Sequence, residues 1–250
     1  GYIDAYRALG DEHYKSIAVK NGEFISSKML SDDGSLKRNF MHGKATIDGF
    51  LDDYAFTISA FLELYQITFD TKWLDRAQLM ITYTNAHFSD DSDRFYYYTS
   101  DLQKKLMSRG MVLDDRVMPS SNAVMAENLF LIGKIFYDKK YIKRSREMLS
   151  SMDERILENP FSYGRWMQLR MLFSSSVYEV AIVGDDCQTV RKQLSQKYLP
   201  NVIFIGGKSE GKLELLEGKL QKGKTMIYVC QDQVCQKPTN DVQEALQQVY

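Results

Sequence analysis

The stretch 48–77, DGFLDDYAFTISAFLELYQITFDTKWLDRA, restricts the fold more than any other part of the chain. It opens with Asp48, Asp52 and Asp53, then runs through residues 50–69 in a helical pattern that is apolar on nearly every side. A helix without a polar face needs other helices around it. After a sharp turn, Trp73, Leu74, Ala77, Met80 and Ile81 alternate at helical spacing with Asp75, Arg76 and Gln78, which gives one wet face and one dry one.

The turn between these two helices recurs. Asp11-Glu-His-Tyr14-Lys-Ser-Ile-Ala18, Asp70-Thr-Lys-Trp73-Leu-Asp-Arg-Ala77 and Asp138-Lys-Lys-Tyr141-Ile-Lys-Arg-Ser145 share the template D-x-x-[YW]-x-x-x-[AS]. The aspartate caps a new helix by accepting exposed backbone N–H groups. The aromatic and the small residue lie one turn apart on the same face. In the second and third copies the preceding helix (50–69, 123–137) is apolar all round and the following one is amphipathic. The pattern predicts inner helices 49–69 and 121–137 and outer helices 71–88 and 139–157. The expected fold is mainly α: a partial α/α toroid of tandem helical hairpins.

Inner-to-outer turns are tight, whereas outer-to-inner connections, about residues 30–48 and 89–119, exceed the usual helix–helix range of about 2–8 residues. The long loops therefore all emerge at the N-termini of the inner helices, where loops tend to carry function. They hold Arg38, His42, Lys44 and the run Phe95-Tyr96-Tyr97-Tyr98, which reads as a hairpin strand whose alternate rings face the cavity.

Near residue 176 the composition changes. Runs at 177–183, 202–205 and 225–230 read as strands, with helical patterns between them, at 210–220 and at about 239–249. This βαβαβ order predicts a small α/β domain, 176–250, with a short parallel sheet, following a toroid segment, 1–175.

A formal net charge of −1 leaves no electrostatic footprint for nucleic acid or an anionic membrane. The pairs Lys104–Lys105 and Lys139–Lys140 read as solvated surface. No stretch reaches the roughly 20 apolar residues of a membrane span. Three cysteines are too few for a disulfide framework, which points to a reducing, cytoplasmic setting. Cys230-x4-Cys235 lacks the spacing of a C-x-x-C redox motif, and both residues read as buried structural cysteines. The start at Gly1, directly in helical pattern, reads as the edge of a longer chain.

Residues 49–77, the helix opening Pro119-Ser120-Ser121-Asn122 and the segment Tyr-Val-Cys230-x4-Cys235-x-x-Pro238 together resemble the YyaL-type, spermatogenesis-associated thioredoxin-like family, and in the same order. The resemblance spans most of the chain. It implies a missing N-terminal thioredoxin-like domain followed by an α/α toroid like that of acylglucosamine epimerases and six-hairpin glycosidases. Three or so hairpins would leave such a toroid open. The chain is therefore expected either to dimerise through its open edge or to depend on the absent portion, with apolar surface near 1–9 and 161–172.

Asp52 and Asp53 are the candidate catalytic carboxylates. Adjacent helical residues point about 100° apart, so the two do not face one substrate atom, and a helix N-terminus favours their ionised form. Arg38, His42, Lys44, Asp115, Ser120 and Asn122 are the candidate ligand-binding residues around the same loop face. Asp52 and Asp53 read equally well as first-turn caps, and Ser120 and Asn122 as ordinary helix-start residues. No H-x-x-x-H pair is present, and no metal site or cofactor is expected. Two functions remain open: a polar cavity that binds or processes a carbohydrate-like small molecule, and a non-catalytic recognition or scaffold module serving a thioredoxin-like domain.

Overall fold

The computed structural model describes residues 1–103 and 108–250; the Lys104–Lys105 pair lies outside them. Helices α1 (Tyr2–Leu9) and α2 (Glu12–Lys28) precede a two-stranded ribbon, β1 (Lys37–Met41) and β2 (Lys44–Asp48). Helices α3 (Leu51–Thr68) and α4 (Lys72–His87) follow, then α5 (Ser121–Phe136) and α6 (Lys139–Ser150). Helices α7 (Asp153–Glu158) and α8 (Gly164–Ser174) complete the helical part. The α/β part contains β3 (Tyr178–Val183), α9 (Cys187–Ser195), β4 (Val202–Gly207), β5 (Met226–Gln231), β6 (Val234–Cys235) and α10 (Val242–Val249).

The repeat does what its chemistry requires. Asp11, Asp70 and Asp138 each accept a hydrogen bond from the N–H two residues on, at 2.8, 3.1 and 2.8 Å. Trp73, Ala77 and Ser145 are buried, and Ser145 Oγ donates to the Ala126 carbonyl of the neighbouring inner helix at 2.6 Å. Helices α3 and α5 pack on one another as the inner layer, with α4 and α6 outside them. Ile58, Phe61 and Leu64 are buried, while Asp75, Gln78 and Thr82 line the wet face of α4. Helices α1 and α8 extend the inner row on either side, against α3 and α5 respectively. The result is an arc of an α/α toroid. At its two ends Leu9 and Phe161 are 68% and 98% exposed.

The sheet order is β4-β3-β5-β6. Strands β3 and β4 are parallel, joined by α9, as expected. Strand β5 runs antiparallel to β3, which corrects the all-parallel expectation. The reason lies in 208–225. In place of the helix expected over 210–220 there is a single 3-10 turn, Glu214–Leu216, because Gly211, Gly218 and Gly223 adopt left-handed φ of 60°, 69° and 74°. Without a crossover helix the chain returns antiparallel.

The cysteine reading also needs correction. Cys230 and Cys235 form a disulfide, and Cys187 is free and buried. A two-residue turn, Asp232–Gln233, sets residue 230 directly opposite 235, so a spacing unlike C-x-x-C still brings the sulfurs together.

The α/β part closes the tight-turn end of the arc. Gln66 Oε1 accepts from the Phe204 N–H (3.2 Å), and Tyr65 OH accepts from the Gly206 N–H (3.3 Å). Gln188 Nε2 donates to the Thr68 carbonyl (2.7 Å), and the buried Arg191 donates to Tyr6 OH (2.7 Å). The long loops and the sheet therefore occupy opposite ends of the inner helices.

Candidate functional site

At the loop end, Arg38 of β1 reaches both aspartates of α3, 3.4 Å from Asp52 Oδ1 and 2.9 Å from Asp53 Oδ2. Its guanidinium lies over the Phe50 ring, which stacks on Tyr98 with centroids 5.0 Å apart. Tyr98 OH donates to Asp52 Oδ2 at 3.2 Å. Asp53, three residues into the helix, accepts the Phe50 N–H at 2.9 Å and so caps it. Burial pushes the Asp53 carboxyl above its ordinary value; Asp52 adds to the rise, and the Phe50 N–H and Arg38 oppose it. The helix terminus alone would have favoured the ionised form, so desolvation outweighs it here.

Asp115, Ser120 and Asn122 form a second group at the same end. The Asn122 side chain accepts from the Tyr96 N–H (2.8 Å) and donates to the Tyr96 and Val112 carbonyls (3.0 and 3.1 Å). Asp115 accepts from the Ser120 and Arg165 N–H groups (2.7 and 2.8 Å), joining the first turns of α5 and α8. Ser120 Oγ caps α5 through the Ala123 N–H at 3.2 Å and donates to the Val112 carbonyl. The run 95–98 is an irregular segment, not a strand. It bridges the inner helices, since the Tyr98 carbonyl accepts from the Leu51 N–H (2.9 Å) while Asn122 grips Tyr96. His42 and Lys44 sit exposed at the tip of the β1–β2 ribbon, apart from both groups.

An apolar-walled cavity lies further along the arc. It has a volume of about 520 Å³ and opens between the inner helices and the segment 195–204. Glu63 of α3 and Glu127 of α5 line it, with Arg7 and Gln66, and Phe130, Leu131 and Leu172 form apolar wall. Arg7 pairs with Glu63. Arg165 Nη2 lies 2.7 Å from Glu127 Oε2, in a contact not aligned as a hydrogen bond. Gln66 donates to Glu63 Oε1 at 3.2 Å while its own oxygen holds β4. Burial lifts the Glu127 carboxyl above its usual range; Arg165 opposes the rise and Glu63 adds to it.

Three successive inner helices, α1, α3 and α5, thus bring Arg7, Glu63 and Glu127 to one lumen, and Arg165 of α8, outside its lining, pairs with Glu127. Reading the sequence missed these carboxylates. The available signal was the single glutamate breaking the apolar run of α3 and of α5. Asp53, Phe56, Thr57, Ala60 and Glu63 are half-buried and recur at helical spacing on α3, so Asp53 and Glu63 share a face. Ten residues separate them by about 15 Å along the axis. Asp53, with Arg38 paired to it, therefore lies on the same face of α3 as Glu63 but outside the lining of the cavity itself. Among the described residues no cluster of three or more metal-ligating side chains occurs, and no helix is long and apolar enough to cross a membrane.

No protein-family model matches the chain. It is homologous over almost its whole length to spermatogenesis-associated protein 20, at 23% identity across 96% of the chain for the rat and human proteins. An uncharacterized Caenorhabditis elegans protein is 26% identical across 98% of it. The resemblance read from the three motif blocks is borne out. The chain spans about a third of these relatives, 35% of the nematode protein and 33% of the mammalian ones.

Among solved structures it is similar to a cellobiose 2-epimerase from Bacillus thermoamylovorans (TM-score 0.49, 16% identity, 60% of this chain and 40% of that one). It is also similar to a GH76 α-mannanase from Bacteroides thetaiotaomicron (TM-score 0.47, 18% identity, 62% and 41%). A third is an unsaturated glucuronyl hydrolase from Bacillus sp. (TM-score 0.45, 17% identity, 61% and 43%). Likeness at this level bears on neither substrate nor reaction.

Proposed function

We propose that the lumen of the hairpin arc binds a carbohydrate-like small molecule, as part of a longer chain that also carries a thioredoxin-like domain. One observation carries the reading. Two carboxylates from adjacent inner helices, Glu63 and Glu127, enter a cavity of about 520 Å³, each matched by one arginine. The volume falls within the range of about 300–1,000 Å³ of small-molecule sites. The Arg7–Glu63 and Arg165–Glu127 pairs are each neutral overall, and Asp4 and Lys197, which also line the cavity, offset one another, which suits a neutral ligand rather than an ion. Carboxylates accept from hydroxyls, and Phe130, Leu131 and Leu172 offer apolar surface to the C–H faces of a ring. In this reading Arg38, Asp52 and Asp53 form the mouth of the lumen.

Saturation-transfer NMR against a panel of monosaccharides and disaccharides, followed by calorimetry, tests it. Glu127→Gln and Glu63→Gln should each weaken binding at least about tenfold, the loss of roughly one charge-assisted hydrogen bond. Absence of transfer from every sugar would overturn the proposal.

A scaffold role has its own support at the loop end. There Ser120 and Asn122 spend their polar groups on backbone of the connecting loop, and Asp115 on the N–H groups that open α5 and α8. If Glu127→Gln leaves binding of every sugar unchanged while loop-end substitutions only destabilise the fold, the scaffold reading prevails.

A further inference from the structure

A buried carboxylate lies beside the disulfide. Glu179 of β3 is 0% exposed and pairs directly with Cys230 of β5 in antiparallel register, so the two side chains share a face of the sheet. Cys235 pairs with Cys230 on the other side, which places Glu179, Cys230 and Cys235 in one row across three strands. Cys230 is buried, whereas Cys235, on the edge strand, is half-buried and open to attack. Among the described residues, Glu179 has buried oxygens without a hydrogen-bond partner and meets one counter-charge, Lys134 Nζ of α5, 3.2 Å from its Oε1. That lysine also reaches Asp232 in the β5–β6 turn at 2.5 Å. Tyr137, whose OH is buried without a partner among the described residues, lies at the end of the same helix, with Glu214 beyond it. A carboxylate on an inner strand has no packing role that an apolar side chain would not fill better.

We infer that Cys230–Cys235 is a thiol–disulfide exchange site, with Glu179 passing a proton to and from Cys230 and a small dithiol or a protein dithiol as the reaction partner. The partner's thiolate attacks the accessible Cys235 Sγ. The S–S bond breaks, its electron pair goes to Cys230 Sγ, and that sulfur takes the proton of Glu179. The partner's second thiol then attacks its own sulfur of the mixed disulfide, releasing Cys235 as a thiolate that takes a proton from solvent. The partner leaves as a disulfide, having given up two electrons and two protons. Glu179 recovers a proton from solvent, and in the reverse direction its carboxylate takes the proton of the Cys230 thiol.

Two features support this assignment. Burial lifts the Glu179 carboxyl above its ordinary value, with Lys134 opposing and Asp232 adding, which brings its two protonation states closer to balance near neutrality. In the turn, Asp232 at φ 48° tolerates a left-handed conformation, but Gln233 at φ 73° does not favour it, so opening the disulfide also lets Gln233 relax. The inference is independent of the lumen.

The test uses the folded chain and dithiothreitol at fixed thiolate concentration, with timed acid quenching, alkylation and mass spectrometry. The wild type should be reduced without denaturant, at a rate that falls as pH rises through the Glu179 pKa. Glu179→Gln should slow reduction at least about tenfold and abolish that pH break, since general acid catalysis contributes about 10²–10⁴-fold. Asp232→Asn, at an exposed position, keeps the fold and leaves the charge of Lys134 to Glu179 alone, so the break should move to lower pH. Cys187, free and buried, reports any global opening by its own alkylation. Resistance of the native disulfide to dithiothreitol that reduces the unfolded chain would overturn the inference. Identical rates and pH profiles in the wild type and Asp232→Asn would do the same.

Discussion

Removing the side chain of Asn122 tests whether the loop end is stapled together as its hydrogen bonds suggest. In Asn122→Ala the buried Tyr96 N–H loses its acceptor, and the Tyr96 and Val112 carbonyls each lose a donor. A buried unsatisfied donor costs about 1–3 kcal/mol, and each lost neutral bond about 0.5–1.5 kcal/mol. A loss of about 3–4 kcal/mol is expected, a large fraction of the roughly 5–15 kcal/mol that holds a domain folded. Urea unfolding followed by circular dichroism gives the free energy directly. In a thermal melt the same loss should lower Tm by roughly 6–16 °C. Asn122→Asp retains an acceptor for Tyr96 but sets a carboxylate against two carbonyls, so it should be no better tolerated. A loss below about 1 kcal/mol in Asn122→Ala would refute the staple and free this residue for a direct role at the lumen.

Other expectations follow from the same contacts. Asp138→Ala should cost about 1 kcal/mol in urea unfolding through loss of the α6 cap, and Asp11→Ala a similar amount at α2. Gly22→Ala would place a Cβ 2.5 Å from Leu64 Cδ1 and 3.0 Å from the Trp73 ring. The overpacking, about 1–3 kcal/mol, should outweigh the gain of about 1 kcal/mol in helix propensity, so the variant should melt lower. Because the Glu127 pKa is raised on folding, the folded chain binds the extra proton. Stability should then fall as pH climbs from the ordinary carboxylate range through the raised value. The stability of the wild type relative to Glu127→Gln should therefore be greatest at low pH and decline from the ordinary carboxylate range upward through the raised Glu127 value. A difference that stays flat across that range would contradict the assignment.

How much of this was legible in the sequence depended on whether the controlling interaction was local. The D-x-x-[YW]-x-x-x-[AS] repeat combines a cap with a contact one turn away, so hairpins and layers followed from spacing alone. The direction of β5 did not follow, because it depends on three glycines turning left-handed in a stretch that otherwise looks helical. The disulfide depended on a two-residue turn, which the C-x4-C spacing permits without requiring. At the loop end, Arg38, Asp52 and Asp53 were grouped from their shared loop face, and the structure brings the three side chains into contact. Ser120 and Asn122 meet backbone of the connecting loop, and Asp115 the N–H groups that open α5 and α8, choices set by long-range packing. The carboxylates of the lumen were overlooked because each sits alone within an apolar helix, and only the curvature of the arc brings them together.

The central claim is that a ligand enters the lumen at Glu63 and Glu127. Backbone chemical-shift mapping during titration with the tightest-binding sugar tests it most directly. The account expects the largest shifts at Glu63, Gln66, Glu127 and Leu131, with smaller ones at Tyr198 on the 85%-exposed lip. Shifts confined to the exposed tip at His42 and Lys44, or absent at saturating sugar, would contradict it.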